Sequence, residues 1–449
     1  MTDNANAYRL AFFTVVIYVA AITVGLRLLY YLAYVLGALL VLAFLWAQLN
    51  KRGLRIHRKV EPSQAQVGQV VQETIEIENL SWLRKLWLEI RDRSTLPGHR
   101  VGAVVSLQGR SARQWQVRTR CVRRGLYRLG PTVVMTGDPF GLFGAAKVFD
   151  DKGELLVYPP TVPLESFGLP ANDLQGGTST QKRSYHSTLN AAGIREYMPG
   201  DPMNRIHWTV SARAQKLMIK EFELDPTSDV WIVLDLNEDA HVPLDVEEGY
   251  SLSTDGSDEL PRRTVFGGRS ASASLVTPIE ASRLSLEPST EEYSVVVAAS
   301  LAAHFIGLGR TVGLIAWGQH RVTLPADRGG RQLIKILRAL AVLRAEGTTP
   351  LEEVLTGESR LFDRQDSLII ITPSLDEKWV TALQFLLHKG LKAVVGLVEP
   401  ATFGGEGNAL MVVSALSTTS VPTYLIKRDD DIDASLSQPA SPVTARNLR

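Results

Sequence analysis

The segment REYMPGDPMNRIHWTVSARAQKLMIKEFE, residues 195–223, gathers the side chains of this chain best suited to chemistry. His207 and Ser211 stand four residues apart, a base and a hydroxyl on adjoining parts of one predicted helix. Such a pair performs acyl transfer only when a third group orients the imidazole, and the segment offers no identified third member. No catalytic set is therefore expected. Arg195, Arg205, Arg213, Lys216 and Lys220 offer another chemistry, the clamping of an anion such as a phosphate or a partner's carboxylate. The plain structural account weighs most: Asp201 caps a helix begun by Pro202, an arginine pairs with Asp201 or Glu196, and Trp208 packs a junction between domains. That helix is expected to run to about Arg213, and LMIKEFEL after it reads as a strand whose alternation exposes Lys220.

The elements that position this segment are read from the rest of the chain. Its 449 residues are enough for two or three domains, each with its own core. Lys and Arg number 48 against 47 Asp and Glu, a net charge of +1, so no global excess points to nucleic acid. The single cysteine, Cys121, excludes an intrachain disulfide and leaves too few thiols for a zinc site; a buried place in a strand is expected for it.

Residues 10–26 and 28–49 are two uncharged apolar runs parted by Arg27. A bilayer-spanning helix needs about 17 to 25 such residues, so residues 1–50 read as a transmembrane helical hairpin. A secretory leader would be shorter and would lack the second run. After the second run stand Lys51, Arg52, Arg55, Arg58 and Lys59, which predicts that both flanks lie on the cytoplasmic side of the membrane. Tyr8, Tyr30, Tyr31 and Trp46 suit the interfaces.

Residues 60–160 show period-two alternation, as in QVVQETIEIEN with Val71, Thr74, Ile75 and Ile77, punctuated by turn clusters such as LPGH and TGDPFG. This predicts an antiparallel β-sandwich, with RRGLYRLGP and GDPFGLF serving turns through Gly125, Gly130, Gly141, Pro131 and Pro139. Residues 161–228 link the sandwich to a second folded region. From 229 to 428 strand-like runs (DVWIVLDLN, TVGLIAWG, DSLIIITPS, LKAVVGLVE, VPTYLIK) alternate with helical ones, which predicts a doubly wound α/β domain with its ligand crevice at the carboxyl ends of the strands. Residues 240–290, rich in Ser, Thr, Gly, Pro and acidic residues, read as a disordered insertion, and 429–449 as a disordered tail.

REYMPGDPMNRIHWTVSAR resembles the signature of the domain-of-unknown-function 58 family, R-x-Y-x-x-G-D-x-x-R-x-I-H-W-x-x-S-A-R. Arg195, Tyr197, Gly200, Asp201, Arg205, Ile206, His207, Trp208, Ser211, Ala212 and Arg213 all match it. RRGLYRLGP, GDPFGLF and the paired amino-terminal spans are also similar to that family. The resemblance implies a bacterial membrane-anchored protein in which the signature precedes a von Willebrand factor A-like domain. It further implies partnership with MoxR-type AAA+ ATPases, beside which such proteins are commonly encoded, and it brings no settled activity.

The implied domain raises a metal question. Von Willebrand A domains often hold Mg²⁺ through a D-x-S-x-S loop, a Thr from a second loop and an Asp from a third. Here DLNED keeps Asp235 but places Asn237 and Asp239 at the serine positions, GTTPL supplies Thr349, and Pro373 stands where the third-loop Asp belongs, with Asp376 three residues on. Asp235, Asn237, Asp239 and Thr349 thus form a degenerate set of hard oxygen donors. The leading expectation is a membrane-anchored cytoplasmic scaffold or adaptor that docks a MoxR-type AAA+ ATPase or its clients. The competing readings are a metal-dependent hydrolase using Asp235, Asp239 and Thr349, and a module that binds anionic ligands or lipid headgroups through Arg195, Arg205, Arg213 and Lys220.

Overall fold

The computed structural model describes residues 4–164, 167, 191–196, 208–222, 228–242 and 286–439. The predicted insertion falls for the most part on 243–285 and the end of the predicted tail on 440–449, which lie outside the described residues.

Two helices open the chain, α1 (Ala5–Val24) and α2 (Arg27–Asn50), both long and apolar enough to cross a bilayer. Gly25, at φ 76°, ends α1 in the left-handed conformation that glycine adopts without strain, and its N–H closes on the Ala21 carbonyl. Ala7, Ala21, Ala33, Ala43 and Ala47 are buried while Phe12, Phe13, Leu42 and their large neighbours face outward. Small residues between the helices and bulky ones outside suit a lipid surround, where close backbone approach replaces hydrophobic burial.

Ten strands come next: β1 (Leu54–Glu61), β2 (Gln64–Gln66), β3 (Val70–Asn79), β4 (Lys85–Asp92), β5 (Ala103–Leu107), β6 (Ser111–Arg120), β7 (Gly125–Leu129), β8 (Thr132–Gly137), β9 (Gly144–Phe149) and β10 (Gly153–Tyr158). The antiparallel sheets β1-β3-β6 and β5-β4-β8-β9 pack through Ile75, Ile77, Leu88, Ile90, Val105 and Val134. A third sheet, β2-β10-β7, pairs β2 and β10 in parallel, so the region is not the purely antiparallel sandwich that the alternation predicts. Along β3 the buried row is Val71, Glu73, Ile75 and Ile77, with Thr74 on the other face. Glu73 goes inside because Arg58 meets it at 2.7 Å and His99 at 2.9 Å, while Arg58 also pairs with Asp92 and Asp151. Arg58 is accordingly a core cation rather than part of the basic flank; Arg52, Arg55 and Lys59 remain exposed.

The hairpin is seated on these sheets. Asn50 donates to the Thr136 hydroxyl at 2.6 Å, the Gly144 N–H donates to Asn4 at 3.0 Å, and Phe44 packs edge-on against Phe143. Lys85, fully buried, donates through Nζ to the Leu49 carbonyl at 2.8 Å. Burial lowers its pKa, and a cation at the last turn of α2 compensates the exposed carbonyls there.

Beyond residue 190 come β11 (Ala191–Glu196), α3 (Trp208–Ala214) and β12 (Met218–Phe222), with β11 and β12 paired antiparallel. The last region has β13 (Val230–Leu234), α4 (Thr290–Gly307), β14 (Val312–Trp317), β15 (Arg321–Asp327), α5 (Gly330–Val342), α6 (Leu351–Gly357), β16 (Ser367–Thr372), α7 (Lys378–His388), β17 (Lys392–Val398), α8 (Leu410–Thr418), β18 (Thr423–Ile426) and α9 (Ile432–Ser437). Its six-stranded sheet runs β15-β14-β13-β16-β17-β18, parallel except for the β14–β15 hairpin. β13 and β16 are buried at every position, as strands covered on both faces must be. α9 corrects the expected disordered tail: Ile432 and Leu436 are buried in the core, and Asp431 caps the helix.

The β-rich region and the α/β region share one core. Leu156, Tyr158, Val162, Leu164 and Phe167 join the cluster beneath α4, so the chain after Tyr158 is core and not merely a link. Phe167 packs against Phe305 and Tyr424, and the Val162 N–H donates to Ser300. Arg124 crosses between the regions with no exposed surface. Its guanidinium reaches Glu291 at 2.5 Å, pairs with Glu292, and donates to the Leu340 and Leu343 carbonyls at 3.0 and 2.9 Å. Removing one side of such a buried pair leaves the other charge stranded. Arg124→Ala is thus expected to cost about 3–5 kcal/mol, read as a lowered denaturation midpoint of the detergent-solubilised chain. A loss under about 1 kcal/mol would show that Arg124 does not hold the interface.

Burial alone would raise the Glu291 carboxyl, but Arg124, the Ala345 N–H and Arg344 together hold it below its ordinary 4.5. A depressed folded value contributes stability that is present above the unfolded value and lost as pH falls through the folded one. The chain should therefore loosen in acid below about pH 4.5, and Glu291→Gln should flatten that slope in a pH series of melting curves.

Candidate functional site

The strands β13 and β16 end side by side, and the loops that leave them open a cleft of 460 Å³ at the carboxyl edge of the sheet. This is where a doubly wound sheet is expected to bind ligands. The loop after β13 is built by its own side chains: Asp235 Oδ1 accepts from the Asn237 N–H, and Asn237 Oδ1 accepts from the Asp239 N–H to cap a short 3-10 turn. A second loop docks on it through paired backbone bonds, Glu238 N–H to the Gly347 carbonyl and Gly347 N–H to the Leu236 carbonyl. A β-carbon at Gly347 would strike the Trp317 and Leu236 carbonyls, so only glycine permits this approach. The loop after β16, with Pro373, Ser374, Leu375 and Asp376, forms the facing wall, and Pro400, Gly405 and Glu406 close the side.

The cleft is acidic over an apolar base. Asp235, Asp239, Glu352, Asp376 and Glu406 line it together with Leu351, Leu375 and Trp379, and among the described residues neither Lys nor Arg does. Asp239, Asp376 and Glu406 are exposed at the rim, whereas Asp235 is buried at the bottom. Burial pushes the Asp235 carboxyl above its ordinary range, against the opposing pull of the Thr372 hydroxyl. His241 stands behind it, Nε2 on the Asp235 carbonyl at 2.9 Å and Nδ1 on Thr290 at 3.1 Å, and burial drives the imidazole below its ordinary value. Glu352, Glu406 and the apolar base were not foreseen, and Asp376 entered the reading only as the acid three residues beyond Pro373: they come from separate loops, and only the topology brings them together.

The four residues proposed as metal donors are only partly gathered. Asp235, Asn237 and Asp239 line the cleft, and Thr349, half-buried just before Pro350, is not among the lining side chains. Both Asp235 oxygens are already engaged, by the Asn237 N–H and by the Thr372 hydroxyl at 2.6 Å. Pro373 stands at the place of the third-loop carboxylate, and among the described residues no three His, Cys, Asp or Glu side chains cluster as cation ligands. The donor set does not fit a hard octahedral cation, which needs several free oxygens at about 2.0–2.1 Å.

Of the signature residues, Tyr197, Gly200, Asp201, Arg205 and His207 lie outside the described residues. Arg195 sits in β11, registered against Ile219, and Trp208 begins α3. Ser211 is buried and spent on structure: its hydroxyl accepts from the Met218 N–H at 2.8 Å and donates to the Met218 carbonyl at 3.3 Å, tying α3 to β12. Arg213 and Lys216 are at the surface.

The family described as "Protein of unknown function DUF58" matches residues 193–242, from β11 through α3 and β12 to the first cleft loop. A protein of Bacillus subtilis (strain 168), named "Uncharacterized protein YeaD", is 24% identical over 259 residues. Residues 193–242 of the chain thus carry a DUF58 match. The YeaD match covers 57% of this chain and 52% of that protein, so the chain spans about half the length of the relative. Among solved structures, the CARDB domain of the PF1109 protein from Pyrococcus furiosus is 15% identical, covering 23% of this chain and 91% of that one at a TM-score of 0.18. Proximal thread matrix protein 1 of the mussel byssus is 11% identical, covering 48% of this chain and 46% of that one at 0.28. Scores so low carry no functional argument.

The metal question has a direct readout. A cation that binds only the folded chain must raise its stability by RT ln(1 + [L]/Kd). Titration with Mg²⁺ or Mn²⁺ is expected to leave the melting temperature of the chain unchanged, and a saturable rise abolished by Asp235→Asn would restore the metal reading.

Proposed function

We propose that this DUF58 protein is a membrane-anchored scaffold or adaptor whose α/β domain docks a partner protein in the acidic cleft. The observation that carries the reading is the cleft itself: the carboxyl groups of Asp239, Glu352, Asp376 and Glu406 around Leu351, Leu375 and Trp379 suit a basic segment with an apolar anchor. The partner is a MoxR-type AAA+ ATPase or one of its clients, as the family resemblance implies. The strand order with a single antiparallel edge hairpin supports a von Willebrand factor A-like domain that works without a resident metal. The two apolar helices support anchoring in the inner membrane, and exposed Arg52, Arg55 and Lys59 beside α2 support a cytoplasmic soluble part.

Rim charges set encounter rate and salt dependence, so reversing them weakens a basic partner without unfolding the host. Affinity capture on the full chain from detergent-solubilised bacterial membranes should recover an AAA+ ATPase. Asp239→Lys combined with Asp376→Lys should lower that recovery about tenfold, a difference near 1.4 kcal/mol, with the melting temperature retained. Capture without any AAA+ ATPase, or recovery indifferent to the double reversal, counts against the proposal.

A further inference from the structure

Around the C-terminal end of α2 the β-sheet region exposes large apolar side chains that no described protein element covers. Trp82 is 82% exposed, Phe140 64%, Trp87 56%, and Leu80 and Leu86 are close to half exposed. Their loops are fastened to the end of the hairpin. The Leu80 N–H donates to the Gly53 carbonyl at 2.8 Å, the Thr136 hydroxyl that accepts from Asn50 donates to the Trp87 carbonyl, and Lys85 holds the Leu49 carbonyl. The Phe140 and Phe143 N–H groups are both held by buried Asp138, which leaves the Phe140 ring outside. In β4 a register shift between Lys85 and Leu88 puts Leu86 and Trp87, consecutive residues, both on the surface.

The height of this rim is set by helix geometry. A helix of 24 residues is about 36 Å long, against about 30 Å of hydrocarbon, so the last turn of α2 lies among headgroups. Phe143 reaches further down, onto Phe44, about 9 Å back along the helix from Asn50. Gly144 meets Asn4 just before α1 begins. Arg52, Arg84 and Arg110 are exposed around the same loops, and the Arg110 N–H is bonded to Ser81. Exposed aromatic rings near exposed cations are the composition that settles at a headgroup boundary.

We infer that the rim formed by Trp82, Trp87 and Phe140 is a second membrane contact, dipping into the interfacial layer and meeting anionic headgroups through Arg52, Arg84 and Arg110. The contact rests on the reading of α1 and α2 as bilayer spans and makes the β-sheet region a seated rather than a tethered domain. The sole cysteine assists the test: Cys121 is fully buried, and burial pushes its thiol up to about 11, so it resists labelling.

The full chain, carrying an environment-sensitive fluorophore at Trp82→Cys, Trp87→Cys or Phe140→Cys, is reconstituted in phosphatidylcholine vesicles with phosphatidylglycerol and a lipid spin-labelled near the headgroup. Probes at Leu42→Cys in α2 and Phe385→Cys in α7, both exposed positions, serve as references. The three rim probes should be quenched several-fold more than the probe at 385, and less so when phosphatidylglycerol is omitted. Rim probes quenched no more than 385, with 42 quenched, overturn the seat and leave the anchor standing. An unquenched probe at 42 overturns the anchor and the seat together. Rim quenching indifferent to phosphatidylglycerol overturns the headgroup contact of the arginines. Three separate positions keep the result independent of any one variant that fails to fold.

Discussion

One fully buried guanidinium is the charged centre of the junction between the β-rich and α/β regions, which also share a hydrophobic core. Arg124 is taken wholly out of water, which is tolerable only because carboxylates and carbonyls surround it. Two of its partners, Glu291 and Glu292, stand in the first turn of α4, where a helix favours anions; two more are the Leu340 and Leu343 carbonyls at the end of α5, where it favours cations. One arginine thus neutralises the amino end of one helix and the carboxyl end of another. Arg344 adds a second, half-exposed cation to the same carboxylates. Thr290, one residue earlier in α4, carries the contact onward by accepting the Val242 N–H and bonding His241, which rests on the Asp235 carbonyl. The cleft wall and the domain interface therefore share a helix terminus, and damage to the interface should loosen the wall.

A second set of contacts fixes the β-sheet region to the hairpin. Thr136, Lys85, Gly144 and Phe143 each close a bond or ring contact with α1, α2 or the residues that flank them. The β-rich region is thus bonded to the apolar helices at one end and, through Arg124, to the α/β region at the other. The direction in which the cleft faces is then set by how the hairpin lies.

How far the sequence reveals this depends on the range of each interaction. The two helices, β13, β14, β16 and β17 announce themselves because unbroken apolar runs leave no other solution. β15 is unforeseen because RVTLPAD, a half-exposed edge strand with a proline, carries little pattern. α9 is unforeseen because its burial comes from two residues, Ile432 and Leu436, within a charged stretch. Glu73 defeats the alternation reading since the reason for its burial, Arg58, lies on another strand. Arg124 is the hardest case: RRGLYRLGP reads as a turn, and its acidic partners lie 167 residues further on and beyond. Asp235, Asn237 and Asp239 mark the first cleft loop from sequence, but the remaining carboxylates reach the cleft only through the sheet topology.

The matched segment, residues 193–242, begins in a strand pair and ends in the cleft's first loop. Its serine shows why a motif of reactive residue types need not be reactive. A hydroxyl that accepts one backbone bond and donates another at the same residue has its proton committed to structure rather than to a base. Ser211 instead fixes where β12 leaves α3, and β12 leads within a few residues to β13 and Asp235. In this segment the chemistry of Ser211 is spent on geometry.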